Sequence, residues 1–299
     1  MAVEEGAEAT PRSLVFDLFG EYVRANGGYL TLQALSRLVA PFGVQPDSLR
    51  VLMSRLRRNG WFETIRVGRT SFYLPSALGW QLLDEGYTRI MSGPHDEWSG
   101  DWYMVIFSVP ETERTARARI RKQLVWLGFG QLAPSTWVSP HDRLSEATDL
   151  LRGEPCTQFD RMITRSLTPE EDRAIAGRCW DLVLIAKGYL DYIERWTRTL
   201  SEVRAAPPAP DRAFVLRTQV IHEYRKFLFA DPDLPARLLP DEWPGHPAWR
   251  VMRSVFATLR EPATQHYKAL TADMPHPGGE VSVPEAPPLP APRYGAVSP

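Results

Sequence analysis

Between Pro46 and Thr70 the chain carries Arg50, Arg55, Arg57, Arg58, Arg66 and Arg69 against only Asp47 and Glu63, in a protein of formal net charge −1. Basic charge gathered on one short stretch and missing from the average is the footprint of a surface that meets phosphates. Arginine can also bond a guanine edge through two donors, and serine pairs with several bases. Ser48, Arg50, Val51, Ser54 and Arg55 are therefore candidates to face the floor of a DNA groove. Arg57, Arg58, Arg66, Arg69 and Thr70 are candidates to hold backbone phosphates, which set register without reading sequence. An amphipathic helix and hairpin with a merely solvated arginine face is the alternative.

These residues need elements to hold them. Pro46 suits the first turn of a helix, and Leu49, Leu52, Met53 and Leu56 recur at the spacing of one buried face. Asn59-Gly60 ends that helix, and two strand-like runs, Trp61–Val67 and Thr70–Leu74, meet through Gly68-Arg69. Upstream, Ser13 is a candidate cap for a helix to about Arg24, stopped by Asn26-Gly27-Gly28. Thr31 can cap a second, with Leu32, Leu35, Leu38 and Val39 inward. Helix, helix, turn, helix and basic hairpin make a winged helix-turn-helix, which lays its recognition helix in the major groove. With a linker helix over 76–91 it fills 13–93, and 1–12 is expected to be disordered. One such module buries little surface, so a homodimer on an inverted repeat is expected.

The remainder divides in two. Trp102–Val109 is a strand, Glu111–Leu127 a helix, Leu132–Ser139 a strand, Leu144–Leu151 a helix and Cys156–Ile163 a further strand. That order fits a ferredoxin-like α+β unit over 98–166, although a third strand is not distinct. Thr168-Pro169-Glu170-Glu171 then opens an all-helical region over 167–272. It reads as one helix to about Val203, one from Asp211 to Phe229 and one from about Pro247 to Leu270 with a possible break at Pro262. The proline-rich tail 273–299 is expected to be disordered. The fold class is α+β throughout.

Composition and motifs exclude much. Two cysteines, Cys156 and Cys179, form neither a CxxC pair nor zinc-ligand spacing, six histidines are scattered, and no metal or cofactor is expected. No signal peptide and no apolar run long enough for a membrane span is visible, so the expected location is the cytoplasm. P-loop, GxGxxG, GxSxG and HExxH motifs are absent, which argues against an enzyme. A nuclease on the ferredoxin-like unit would need a carboxylate at the end of its first strand, and Glu111 lies beyond Pro110.

Several blocks carry a resemblance. Ser13 to Val23 (SLVFDLFGEYV), Arg50 to Leu56 (RVLMSRL) and Asn59-Gly60-Trp61 are joined by Trp126 to Gly130 (WLGFG), Trp137 to His141 (WVSPH), His222 to Lys226 (HEYRK) and the run from Asp231 through Trp243-Pro244-Gly245. Together, over about 13–270, they resemble the PaaX family of phenylacetate-operon repressors. The resemblance implies an N-terminal winged helix, a central ferredoxin-like domain and a helical C-terminal domain. It also implies an operator as partner and release by an aryl-CoA effector such as phenylacetyl-CoA. Residues suited to an aryl group or to CoA phosphates are Trp137, His141, Trp180, Arg217, His222, Tyr224 and Arg225; a purely structural role is the competing account. The arginine row at Arg114, Arg117 and Arg121 reads more simply as a solvated helix face. In the recognition helix the family pattern has a small residue and Ala-Val, where this chain has Ser48 to Met53 (SLRVLM), so operator and effector can differ. A DNA-binding architectural protein without an effector is the other reading.

Overall fold

The first described helix, α1 (Pro11–Leu18), starts where Thr10 caps it: the Ser13 amide donates to the Thr10 hydroxyl at 3.3 Å and Pro11 fills the first helical position. Ser13 was the expected cap; it lies inside the first turn because proline at the first position fixes the start upstream. The structure is a computed structural model describing residues 10–93, 98–154, 158–278, 281 and 283–285. The expectations for 1–9, for Cys156 and for 286–299 lie outside these residues. The chain forms two compact units, one from the described parts of Met1–Ser92, Tyr192–Lys226 and Ala248–Pro292, the other from those of Gly93–Asp191 and Phe227–Pro247.

In the first unit, α1 runs on through a π turn, Phe19–Val23, and a 3-10 turn to Gly27. Strand β1 (Leu30–Thr31) leads into α2 (Leu32–Val39), whose Ala34 amide donates to the Thr31 hydroxyl at 3.2 Å. Helix α3 (Pro46–Arg58) follows, then β2 (Phe62–Val67), β3 (Thr70–Pro75) and α4 (Ala77–Ser92). The sheet is antiparallel in the order β1-β3-β2. Val67 faces Thr70, so Gly68-Arg69 is a two-residue turn, and Gly68 at φ +59° supplies the left-handed residue that a hairpin of right-handed twist requires. Phe16, Phe19 and Phe62 pack edge to face beneath α3, whose Leu49, Met53 and Leu56 are buried.

In the second unit, β4 (Trp102–Ser108), α5 (Arg114–Trp126), β5 (Gly130–Ala133), β6 (Thr136–Ser139), α6 (Leu144–Arg152) and β7 (Gln158–Thr164) make an antiparallel sheet in the order β5-β6-β4-β7. This is the ferredoxin-like arrangement. The strand expected over Leu132–Ser139 is a hairpin: Ala133 pairs with Thr136 around Pro134-Ser135, without the glycine that would mark it, and the Gln131 side chain closes the turn on the Ala133 and Pro134 carbonyls. Val105 and Phe107 join Ile120, Leu124, Ala147 and Leu151 in one core. On the other face of β4, Trp102 donates to Asp172 of α7 (Pro169–Cys179) at 2.7 Å and stacks near Trp180. Gly130 has no room for a Cβ, which would meet Cys179 and Trp180 at 2.6–2.7 Å.

The long helix expected from Thr168 is two. Trp180 is extended (φ −134°, ψ 143°), and Asp181 caps α8 (Leu182–Ala205) by accepting from the Leu184 amide at 3.0 Å. Helix α9 (Pro210–Ala230) follows, then α10 (Gly245–Thr258) and α11 (Arg260–Thr271). The break between the last two falls at Leu259, and Pro262 sits in the first turn of α11, where its missing N–H does no harm. Beyond α11 the described tail residues form a strap on the winged unit. Met274 Sδ accepts from the Thr31 amide, the His276 ring packs edge-on to Tyr29, and the Glu285 carbonyl accepts from Arg24.

In the second unit, Asp231 accepts from the Tyr189 hydroxyl at 2.9 Å and the Asp233 amide at 2.8 Å. Burial pushes its carboxyl up to about 6 from an ordinary 3.8. A folded-state pKa raised in this way gives stability that is full below about 4 and lost as pH rises through about 6. Asp231→Asn should therefore flatten the fall in stability between pH 4 and 7, as read by urea denaturation across that range.

Candidate nucleic-acid interface

Helix α3 divides cleanly. Leu49, Met53 and Leu56 point into the core, Leu52 is half-buried, and Ser48, Arg50, Val51, Ser54, Arg55, Arg57 and Arg58 are exposed. Val51 is 54% exposed, so an apolar methyl pair stands among the arginines with nothing packed over it. That is unfavourable in water and suits a thymine methyl in a groove. Arg50 leans on Asp47 at 2.8 Å, but the two side chains are 66% and 92% exposed, so the pair is weak and Arg50 can be recruited elsewhere. On the hairpin, Arg66 and Arg69 are exposed and Thr70 is half-buried at the turn. The Ser76 hydroxyl, donating to the Gly60 carbonyl at 2.5 Å and accepting from the Gly79 amide at 3.1 Å, ties the end of α3 to the start of α4. One fold thus presents the ten DNA candidates on a helix and the hairpin that follows it.

The seven effector candidates divide between the two units. Trp137 is buried in the core of the ferredoxin-like sheet, and its indole N–H finds no acceptor among the described residues. His141 Nε2 lies 2.8 Å from the Asp233 carbonyl. Trp180 lines an open groove of about 700 Å³ in the second unit with Arg173, Arg178, Val183 and Leu238. Arg217, His222 and Arg225 lie on α9 in the first unit and are engaged there. Arg217 pairs with Glu21, donates to the Phe256 carbonyl at 2.8 Å and sits 3.7 Å over the Phe256 ring. His222 and Arg225 meet the two oxygens of Asp17 at 3.2 and 2.7 Å. Tyr224 is buried against Tyr192. Arg217 and Arg225 therefore fasten α9 to the first helical stretch of the winged domain through protein carboxylates, with the His222 ring beside Asp17, so these donors are already engaged within the first unit. Burial and neighbouring Arg260 draw Arg217 down to about 9, which still leaves it charged at neutral pH opposite Glu21.

Asp17 and Glu21, the partners of those cations, escape a reading of the basic residues alone. The available signal is two acids four apart in an otherwise apolar helix, since a buried carboxylate demands a partner. Glu111 is exposed, 3.9 Å from both Arg114 and Arg117. Among the described residues no group of His, Cys, Asp or Glu is placed to hold a metal, and no helix is long and apolar enough to cross a membrane.

A winged helix with a basic reading face, joined to a ferredoxin-like domain, defines a class of candidate DNA regulators. Comparison narrows it. Residues 10–79 match the family model described as PaaX-like protein, 95–176 the PaaX protein central Cas2-like domain and 180–269 the PaaX-like protein C-terminal domain. The chain belongs to the PaaX family. The transcriptional repressor PaaX of Escherichia coli (strain K12) is 29% identical over 289 residues, covering 92% of this chain and 91% of its own. A solved structure of an uncharacterized Mycobacterium tuberculosis protein aligns over 88% of this chain and 99% of its own, at 24% identity and a TM-score of 0.55; it bears on the fold alone.

Proposed function

We propose that this protein is a transcriptional repressor that binds operator DNA as a homodimer through α3 and the β2–β3 wing. The observation that carries the reading is the exposed outer face of α3, with Arg50, Val51, Ser54 and Arg55 continuous in sequence with the basic wing. Release follows from an aryl-CoA such as phenylacetyl-CoA, which favours a conformer poor at DNA binding; by linkage DNA then weakens effector binding by the same factor. The repressor reading draws on the family and on the E. coli repressor, and the aryl-CoA is the effector that the family resemblance implies. Trp180 and its groove are the part of the effector set open to a ligand. No catalytic step enters the proposal.

The test is a gel shift on DNA upstream of the protein's own gene, at stated salt, with and without phenylacetyl-CoA. A shift abolished by the thioester and not by free phenylacetate supports the whole reading. A shift indifferent to it keeps the repressor and removes the effector. Within that assay Arg55→Ala should weaken operator binding by about 1–3 kcal/mol, roughly five- to 150-fold, and spare non-specific duplex. Arg69→Ala should weaken both alike and lower the salt slope by about one. Equal, sequence-independent losses for the two would refute a reading role for Arg55.

A further inference from the structure

The strap behind α11 closes one side of a cleft of about 400 Å³ on the winged unit. Thr31, Gln33 and Arg37 line it from α2 and its approach, Arg69, Thr70 and Ser71 from the wing turn. Two arginines and three hydroxyls facing one solvent-open space are the donors that hold a tetrahedral anion. An anionic group already stands there. Asp273 accepts from Arg37 Nη1 at 2.6 Å, and Arg37 also donates to the Leu270 carbonyl at 3.3 Å.

We propose that this cleft is a further DNA-phosphate site, contiguous with the wing, and that the strap carboxylate Asp273 occupies its inner cation as a built-in competitor of the DNA backbone. The inference rests on the DNA-binding function proposed above. Asp273 is 65% exposed and Arg37 37%, a setting in which an ion pair is weak. A backbone phosphate offers the same charge and more acceptor oxygens, and its binding also releases a counterion, so exchange is feasible. The strap does not depend on the pair, because Met274 on the Thr31 amide and His276 against Tyr29 hold it independently. Asp273 can therefore swing away while the strap stays seated. Arg37, which the basic run 46–70 does not contain, becomes a contact residue, and the carboxylate lowers affinity and salt sensitivity together.

Fluorescence anisotropy of the full-length protein on a duplex of about 30 base pairs, over a series of KCl concentrations, tests this. Asp273→Asn should tighten binding about three- to tenfold at low salt and steepen the logarithmic salt slope by about one. Arg37→Ala should abolish that gain in the Asp273→Asn background, and Arg37→Lys, which keeps the charge, should retain most of it. Glu261→Gln, removing an exposed acid elsewhere in the same unit, controls for bulk charge. Equal effects from Asp273→Asn and Glu261→Gln, or an unchanged slope, overturn the proposal while leaving DNA binding intact. Absence of binding by every variant, on this duplex and on the upstream DNA, overturns the function on which it rests.

Discussion

Arg217→Ala is expected to lower the unfolding free energy by about 3–5 kcal/mol, because it strands the buried Glu21 carboxylate without its partner. Both side chains are less than a tenth exposed, so water cannot take over. The variant also loses the hydrogen bond to the Phe256 carbonyl and the stacking on its ring. The informative companion is the double variant Glu21→Gln with Arg217→Met, which removes both charges and keeps much of the volume. It should recover most of the loss, since a buried ion pair is often close to neutral against an apolar replacement. Guanidinium denaturation of the wild type, Glu21→Gln, Arg217→Met and the double variant, taken as a double-mutant cycle, gives the coupling directly. Additive losses would mean that Arg217 acts through packing and not through Glu21. Asp17→Asn should behave more mildly, because Arg225 is more exposed than Arg217 and can re-solvate.

Trp102→Ala carries an effect of similar size on the second unit, about 3–5 kcal/mol. The indole is 1% exposed, and its removal opens a large cavity between the sheet and α7. Asp172 loses a donor but keeps the Ser166 hydroxyl. Trp102→Phe separates the two contributions: it refills most of the volume and omits the N–H, and its cost should be about 1–2 kcal/mol. Intrinsic tryptophan fluorescence during urea unfolding reads both. If Trp102→Phe were as damaging as alanine, the hydrogen bond to Asp172, and not cavity filling, would dominate.

What could be read from residue order alone follows the range of the interactions involved. The winged domain was legible because its signals are local: the apolar row from Leu49 to Leu56, the stop at Asn59-Gly60 and the glycine of the wing turn all lie within a few residues of what they control. The β5–β6 hairpin was not, since Pro134-Ser135 interrupts a continuous apolar run without a change of periodicity. Nor was the break at Trp180, which is extended because its ring is wanted against Trp102, a residue far back in the chain. At the candidate site, the residues proposed to face DNA follow from helix periodicity and lie exposed as that periodicity requires. The partners of the α9 side chains escaped for a different reason. His222 and Arg225 meet Asp17 across 205 and 208 residues, and no local pattern shows that a cation is already neutralised.

The fastening of α1 to α9 bears on how this winged head can be handled and inherited. The segment matched as the first family domain ends at residue 79, and its sequence looks like a self-contained cassette. Cut there, it would present Asp17, Glu21 and the stacked face of Tyr22 to solvent, with Arg217, Arg225, Phe214 and Tyr267 left on the discarded piece. A graft of this module onto another protein would thus have to carry α9 and α11 with it, although they arrive more than a hundred residues later. Recombination at the border after residue 79 is disfavoured for the same reason, and the winged segment is bound to change hosts together with α9 and α11.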